Sequence, residues 1–382
     1  MKNILYGTTA LIAVSMVAGS AGAAEKIKLG LGGYWRAAIH MGDTNNDSAA
    51  AATASDIRNH GFGRESEIYF SGKTTLDNGI KFGVMVQLEG ETSGDQMDNS
   101  YIWSAGSFGR LEYGETWGPG LLMYAGGVGE KLSSHGDFAS HNPSNGPNGL
   151  GINSFGGGAG LRSRPITKLN YFTPRMSGLQ LGIGYVPDAA NNSAGSGLQS
   201  KLTGDTGNEM VDVAANYVGK FGGAGVRAHV GWFGSETETA AIGAAAGRDA
   251  EGYSMGAQVG FSGFRVGGRY TVIDDIQGTA VATPSLEQVN YRFGVDYSTG
   301  PWGVGITVQK ARREQLNGVV KSTRNDVTDY MSVAGSYNLG PGISLYGGVQ
   351  FWDFQDSANL AAASPQTESD ATIGVIGTIF KF

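Results

Sequence analysis

The sequence predicts an all-β fold: a transmembrane antiparallel β-barrel of sixteen strands, with short periplasmic turns and long extracellular loops. Three observations predict it. Apolar residues alternate at period two with polar residues or glycine along most of the chain. Tight glycine turns alternate with long polar connections. A leader for export precedes the patterned region.

The leader comes first. Lys2 supplies a positive start, Leu5 to Val17 an apolar stretch, and Ala21-Gly22-Ala23 the small-x-small site of signal peptidase. The apolar stretch is too short for a helical anchor, and small residues follow it where basic flanks would stand. Residues 1–23 are therefore expected to be a cleaved signal peptide and 24–382 a single domain. Removing Lys2 from 27 basic residues leaves 26 against 34 acidic ones, a net charge of −8, which argues against a nucleic-acid partner. With no cysteine, disulfides and cysteine metal sites are excluded. Glycine numbers 64 of 382 against a usual share of about 7%. With 40% hydrophobic and 10% aromatic residues the chain is not disordered. Glycine within strands instead suits a coiled sheet or a face that must clear a lumen.

The expected strands are 26–39, 62–76, 80–91, 98–104, 108–117, 166–174, 179–187, 209–219, 225–233, 251–261, 264–273, 287–298, 302–312, 327–338, 343–354 and 371–382. Val226, Ala228, Val230 and Trp232 alternate with Arg227, His229 and Gly231; Val289, Tyr291, Phe293 and Val295 oppose Asn290, Arg292 and Asp296. Short turns are read at Asp77-Asn78-Gly79, Ser104-Ala105-Gly106, Arg175 to Gly178, Phe221-Gly222-Gly223, Ser262-Gly263, Ser298 to Pro301 and Leu339 to Gly342. Long segments are read at 43–59, 92–97, 118–161, 187–208, 234–250, 274–286, 313–326 and 355–369. A face rich in Arg, Gln, Asn and Gly suits water, and its apolar opposite suits lipid. Periodicity leaves open which face is inside; the leader and the aromatic residues at strand ends favour apolar outside.

The last strand ends Ile379-Phe380-Lys381-Phe382. This resembles the terminal signature of outer-membrane barrels, with Thr378 and Gly374 departing from its apolar positions, and implies that Phe380 and Phe382 form a signal for the barrel assembly machinery. Gly61 to Gly72 (Gly-Phe-Gly-Arg-Glu-Ser-Glu-Ile-Tyr-Phe-Ser-Gly), the Asp77-Asn78-Gly79 turn, Ile80 to Glu89 and Ser107 to Thr116 resemble the general Gram-negative porins, particularly the proteobacterial trimeric ones. The resemblance covers essentially the whole mature chain. It implies a homotrimer in outer-membrane lipid with a water-filled pore in each subunit.

Residues 118–161 are too many for an ordinary connection, and the resemblance implies a loop that folds inward and narrows the pore. It carries Glu130 and Asp137 with His135 and His141. Strand parity turns Arg36, Arg110 and Lys168 to the polar side; Arg162 and Arg164 share Lys168's parity just before its strand, whereas Arg64 points outward with Ile68 and Phe70. An acidic Glu130/Asp137 side facing a basic Arg36, Arg110, Arg162, Arg164 and Lys168 side would set a field across the constriction. The function expected is passive diffusion of ions and small hydrophilic solutes, with a mild cation preference from the negative net charge. The alternatives are an anion track along Arg227, Arg265, Arg269 and Arg292, a structural or adhesive barrel, and an extracellular soluble β-protein. No metal-ligand spacing, nucleotide loop or nucleophile group emerges, so neither cofactor nor metal nor enzymatic activity is expected.

Overall fold

A computed structural model describes residues 26–46, 59–90, 97–129, 165–188, 206–237, 249–274, 284–317, 320–356 and 367–382. The expected leader, Glu130, Asp137, Arg162 and Arg164 lie outside these residues. Sixteen antiparallel strands form one closed barrel. They are β1 (Lys28–Asn46), β2 (His60–Thr75), β3 (Lys81–Glu89), β4 (Met97–Gly106), β5 (Gly109–Thr116), β6 (Ile166–Phe172), β7 (Leu179–Val186) and β8 (Thr206–Phe221). The second half comprises β9 (Ala224–Thr237), β10 (Ala250–Phe261), β11 (Phe264–Asp274), β12 (Glu287–Thr299), β13 (Trp302–Asn317), β14 (Val320–Gly340), β15 (Ile343–Asp356) and β16 (Thr367–Lys381). Each strand pairs with its sequence neighbours, and β1 pairs with β16 from Tyr34↔Lys381 to Asn46↔Ser369. Closure gives each described strand a neighbour on both sides, the condition a sheet must meet in lipid.

Seven tight turns, β2–β3, β4–β5, β6–β7, β8–β9, β10–β11, β12–β13 and β14–β15, fall on one rim by antiparallel alternation. The turn between β8 and β9 has positive φ at both Gly222 and Gly223, as a two-residue hairpin of right-handed twist demands. Between β2 and β3, Gly79 takes φ +80° while the Asn78 side chain accepts from Ile80 N–H at 3.1 Å. One expected loop is not a loop. In place of 313–326, β13 runs to Asn317 and β14 starts at Val320, so the hairpin continues upward as paired strand. Arg313 pairs with Asp326 at 3.1 Å and Lys321 with Glu314 at 2.6 Å, and these ion pairs made the segment read as polar connection.

The structure decides which face is inside. Val230 is 57% exposed and Ile306 50%, whereas inward Thr307 and Gln309 are 0% and 4% exposed. Apolar side chains therefore form the outer wall. Near the tight-turn rim, outward rings pair as Phe264–Tyr297 (4.5 Å) and Trp302–Tyr337 (4.4 Å); higher up, Tyr270 meets Tyr291 at 5.4 Å. Between Trp302 and the exposed Lys310 on β13, eight residues at about 3.4 Å each, inclined by roughly 40°, span roughly 21 Å, close to the apolar band of such a barrel. The polar-inside rule breaks in β14–β16. There Tyr330, Trp352, Phe354, Ile373 and Val375 turn inward and bury one another, beside polar side chains of the same inward face such as Thr328, Ser332 and Gln350.

Candidate functional site

Inward parity places a polar side chain on nearly every strand of the interior, and the chain after β5 uses them. Residues 117–129 do not continue up the wall; they turn into the barrel. A four-residue helix, α1 (Pro119–Leu122), starts the inward segment, with Pro119 supplying a helical φ where no intrahelical N–H bond is lost. The Asn170 amide on β6 donates to Trp117 O at 2.9 Å. The Asp212 carboxylate on β8 accepts from Gly120 N–H at 3.0 and 3.2 Å, and the Asn216 amide donates to Met123 O at 3.0 Å. His229 Nδ1 on β9 accepts from Ala125 N–H at 3.0 Å, which leaves the ring proton on Nε2, 3.2 Å from Ser254 Oγ. Gln258 on β10 and Asp296 on β12 accept from Gly126 and Gly129 N–H, each at 3.2 Å. On β13 the Thr307 hydroxyl donates to Val128 O at 2.9 Å. The segment is thus laid across the inner wall from β6 to β13, its peptide groups paired in place of water.

Glycine makes the close approach possible. A Cβ on Gly294 would fall on the Val128 carbonyl, and one on Gly126, which also has φ +94°, would fall on Gly268 O. The inward glycines of β10–β13 therefore seat this segment as well as clearing the lumen.

Across the ring from β9 lies β1, eight strands away in a ring of sixteen. There Arg36 is buried and ion-paired with Glu65 of β2. Tyr34 donates to both Glu65 and Glu67, the latter at 2.6 Å; Tyr69 and Gln87 also donate to Glu67, each at 2.5 Å, and Asn99 donates to Gln87 at 3.0 Å. Four adjacent strands thus present one hydrogen-bonded belt with carboxylates at its centre. On the opposite side Arg269 of β11 and Arg292 of β12 stand directly across from each other, with Tyr124 of the inward segment 5.5 Å from the Arg269 guanidinium.

The interior therefore contains an acidic belt with Arg36 on β1–β4 and an arginine pair on β11–β12. Lys168 is inward and buried on β6, beside the start of the inward segment. Arg110 is inward on the first rungs above the β4–β5 turn, paired with Glu112 at 2.6 Å and stacked 4.3 Å from the Trp103 ring. Cross-strand register matches Arg110 with Phe172 and Lys168 with Gly114, so the two cations differ in height by four residues, about 14 Å along the strand. Of the arginines in the alternative anion track, Arg227 is exposed and Arg265 is bound twice to Asp296 (3.0 and 2.8 Å), while Arg269 and Arg292 lie deeper. Phe380 faces outward against Trp35 (6.5 Å), and the Phe382 backbone bonds Gly33 in both directions at 3.0 and 3.2 Å.

The residues that the sequence reading passed over are the anchors. Asp212, His229, Gln258, Asp296 and Thr307 are isolated in sequence. Their signal was parity alone: each is a polar side chain on the inward face of its strand.

Comparison with known proteins agrees with this architecture. Uncharacterized proteins of Rickettsia bellii and Rickettsia prowazekii are 20% and 24% identical, with 58% of each chain covered, so the chain spans 58% of the length of these curated relatives. Among solved structures, the anion-selective porin from Comamonas acidovorans superposes with TM-score 0.63 at 18% identity, over 94% of this chain and 100% of that one. OmpT, an outer membrane protein of Vibrio cholerae, gives 0.60 at 11% identity, over 95% and 100%. Salmonella typhi OmpF gives 0.58 at 15%, over 93% and 98%. The family model described as Gram-negative porin matches residues 7–357. The chain belongs to the Gram-negative porin family.

Proposed function

We propose that this chain forms a water-filled channel in the outer membrane for passive diffusion of ions and small hydrophilic solutes. The observation that carries this reading is residues 117–129, bound by side chains of six strands inside a barrel with a polar inner wall and an apolar outer one. A segment held there narrows the bore without closing the sheet over it, which is the arrangement a size-limited pore needs. Export by a cleaved leader at 1–23, with 24–382 as one barrel domain, insertion guided by Phe380 and Phe382, and assembly as a homotrimer complete the reading; OmpT of Vibrio cholerae has a trimer form. In this reading Glu130 and Asp137 face a basic wall of Arg36, Arg162, Arg164 and Lys168, with Arg110 lower on the same wall. Its ion preference is mildly cationic, following the negative net charge.

A second reading, preference for anions, draws support from Arg269 facing Arg292 on the inner wall and from the anion-selective porin among the structural neighbours. Refolded protein in planar bilayers tests both. Stepwise conductance increments are expected, and their absence with correctly folded barrels overturns the channel. The sign of the reversal potential in a potassium chloride gradient then decides between the two preferences.

A further inference from the structure

The outer wall of β13, β14 and β15 carries a notch. Register sets Val304, Gly335 and Gly347 side by side on adjacent strands, and parity turns all three outward with the exposed Ile306 and Val333. Two neighbouring glycines leave the wall bare of side chains at this level. The result is a groove of about 470 Å³, walled by Tyr297, Val304, Ile306 and Val333 and floored by Gly335 and Gly347. A water's share of liquid volume is roughly 30 Å³ and a methylene is of similar size, so the groove holds on the order of ten methylenes. Next towards the tight-turn rim, the Trp302 and Tyr337 rings meet at 4.4 Å, with Trp302 60% exposed. Four residues separate Trp302 from Ile306, a rise of roughly 10 Å at the pitch and tilt of such strands. One leaflet of hydrocarbon is about 15 Å deep. The groove therefore lies in the turn-side leaflet, its lower end beside two rings that carry an N–H and an O–H.

Strand length decides what stands against it. β13, β14 and β15 have 16, 21 and 14 residues, enough to cross the apolar band unaided. Directly across the ring from β14 lies β6, with 7 residues, and a described span of that length rises only about 18 Å. The β6 side is the one that falls short of the band; the β13–β15 side is full height and meets lipid. We propose that the groove seats one acyl chain of a phospholipid in the turn-side leaflet, with the ester oxygens accepting from Trp302 Nε1–H and the Tyr337 hydroxyl. Moving a chain from bilayer to groove gains nothing from the hydrophobic effect, because lipid tails are themselves apolar. The preference comes from the contacts a straight chain makes with the floor and walls, and from the two donors. The proposal rests on the apolar outer wall and is independent of what passes through the bore.

Native mass spectrometry tests it, on folded protein extracted in mild detergent from phosphatidylethanolamine vesicles. One retained phospholipid per barrel is expected, and none overturns the site. Gly335→Leu fills the floor from a Cβ that would stand 3.3 Å from Gly303 O, and retention is expected to fall at least tenfold; undiminished retention overturns the site. Trp302→Phe leaves sheet and groove in place and removes one donor, so retention is expected to weaken about tenfold, the loss of roughly one hydrogen bond. That variant decides the matter if the leucine variant does not fold, and retention equal to the parent's then overturns the site. Val213→Leu adds bulk to the outer wall on β8 and is expected to keep the lipid; loss there as well would mean indiscriminate stripping and overturns the site. A smaller oligomer in Gly335→Leu would mean that a second copy of the chain fills the groove, which also overturns it. Gly335 faces away from the bore, so unchanged conductance is expected in Gly335→Leu, and a failed lipid site leaves the channel standing.

Discussion

Removing the Asp212 carboxylate tests whether wall side chains hold the inward segment in place. Both Asp212 oxygens lie within 3.2 Å of Gly120 N–H, and the carboxylate is buried. In Asp212→Ala the Gly120 donor, at the start of α1, loses this acceptor where little water can replace it. A hydrogen bond to a charged group contributes about 1.5–3 kcal/mol, so the population with the segment lifted from β8 rises about ten- to 150-fold. Neighbouring anchors at Asn216 and His229 remain, so the barrel itself stays folded. The measurement is open-channel current noise in planar bilayers. Fluctuation of the segment in the bore is expected to raise the noise and broaden the conductance distribution. Asp212→Asn, which keeps a carbonyl acceptor at the same position, is expected to restore most of the quiet behaviour. A quiet D212A channel of unchanged conductance would refute the reasoning, because it would mean that the contact does not hold the segment.

Other perturbations test other parts of the account. Gly294→Val puts side-chain atoms where the Val128 carbonyl lies, so the segment must move; an altered unit conductance is expected, and an unchanged one counts against the seat. Val230→Arg places a charge on the outer wall and is expected to cost about 2–4 kcal/mol, whereas Val320→Arg, on the extended β13–β14 hairpin, costs about 0–1 kcal/mol; unfolding in urea with lipid vesicles compares them. Arg36→Ala leaves Glu65 without its ion pair in the acidic belt, and the reversal potential is expected to shift towards cation preference. An unchanged potential would show that the belt does not sample the ion path.

Much of the barrel was legible because a strand alternates its side chains regardless of where it sits. Most of the short turns were visible for the same local reason: positive φ at Gly79, Gly222, Gly223 and Gly263 is a property of the turn itself; the one read at Ser104-Ala105-Gly106 is instead paired strand, and the β4–β5 chain turns at Ser107–Phe108. Parity also assigned Arg36, Arg110 and Lys168 inward and Arg64 outward, as the pairing Arg36↔Glu65 requires. Where local rules met competing signals they failed. Arg313, Glu314, Lys321 and Asp326 read as loop polarity but are ion pairs across a strand extension.

What the sequence by itself determined is therefore the strand count, most of the short turns, and two faces of opposite character. Which face holds the water was decided by closure, since only a ring has an inside. Tertiary structure alone also decided the path of residues 117–129. Their partners are single side chains on β6, β8, β9, β10, β12 and β13, up to 179 residues away, and no local period records which peptide N–H a distant carboxylate or imidazole will meet. Likewise, only register brings Val304, Gly335 and Gly347 side by side, because cross-strand neighbours are set by the pairing of whole strands and leave no mark on the spacing within any one of them.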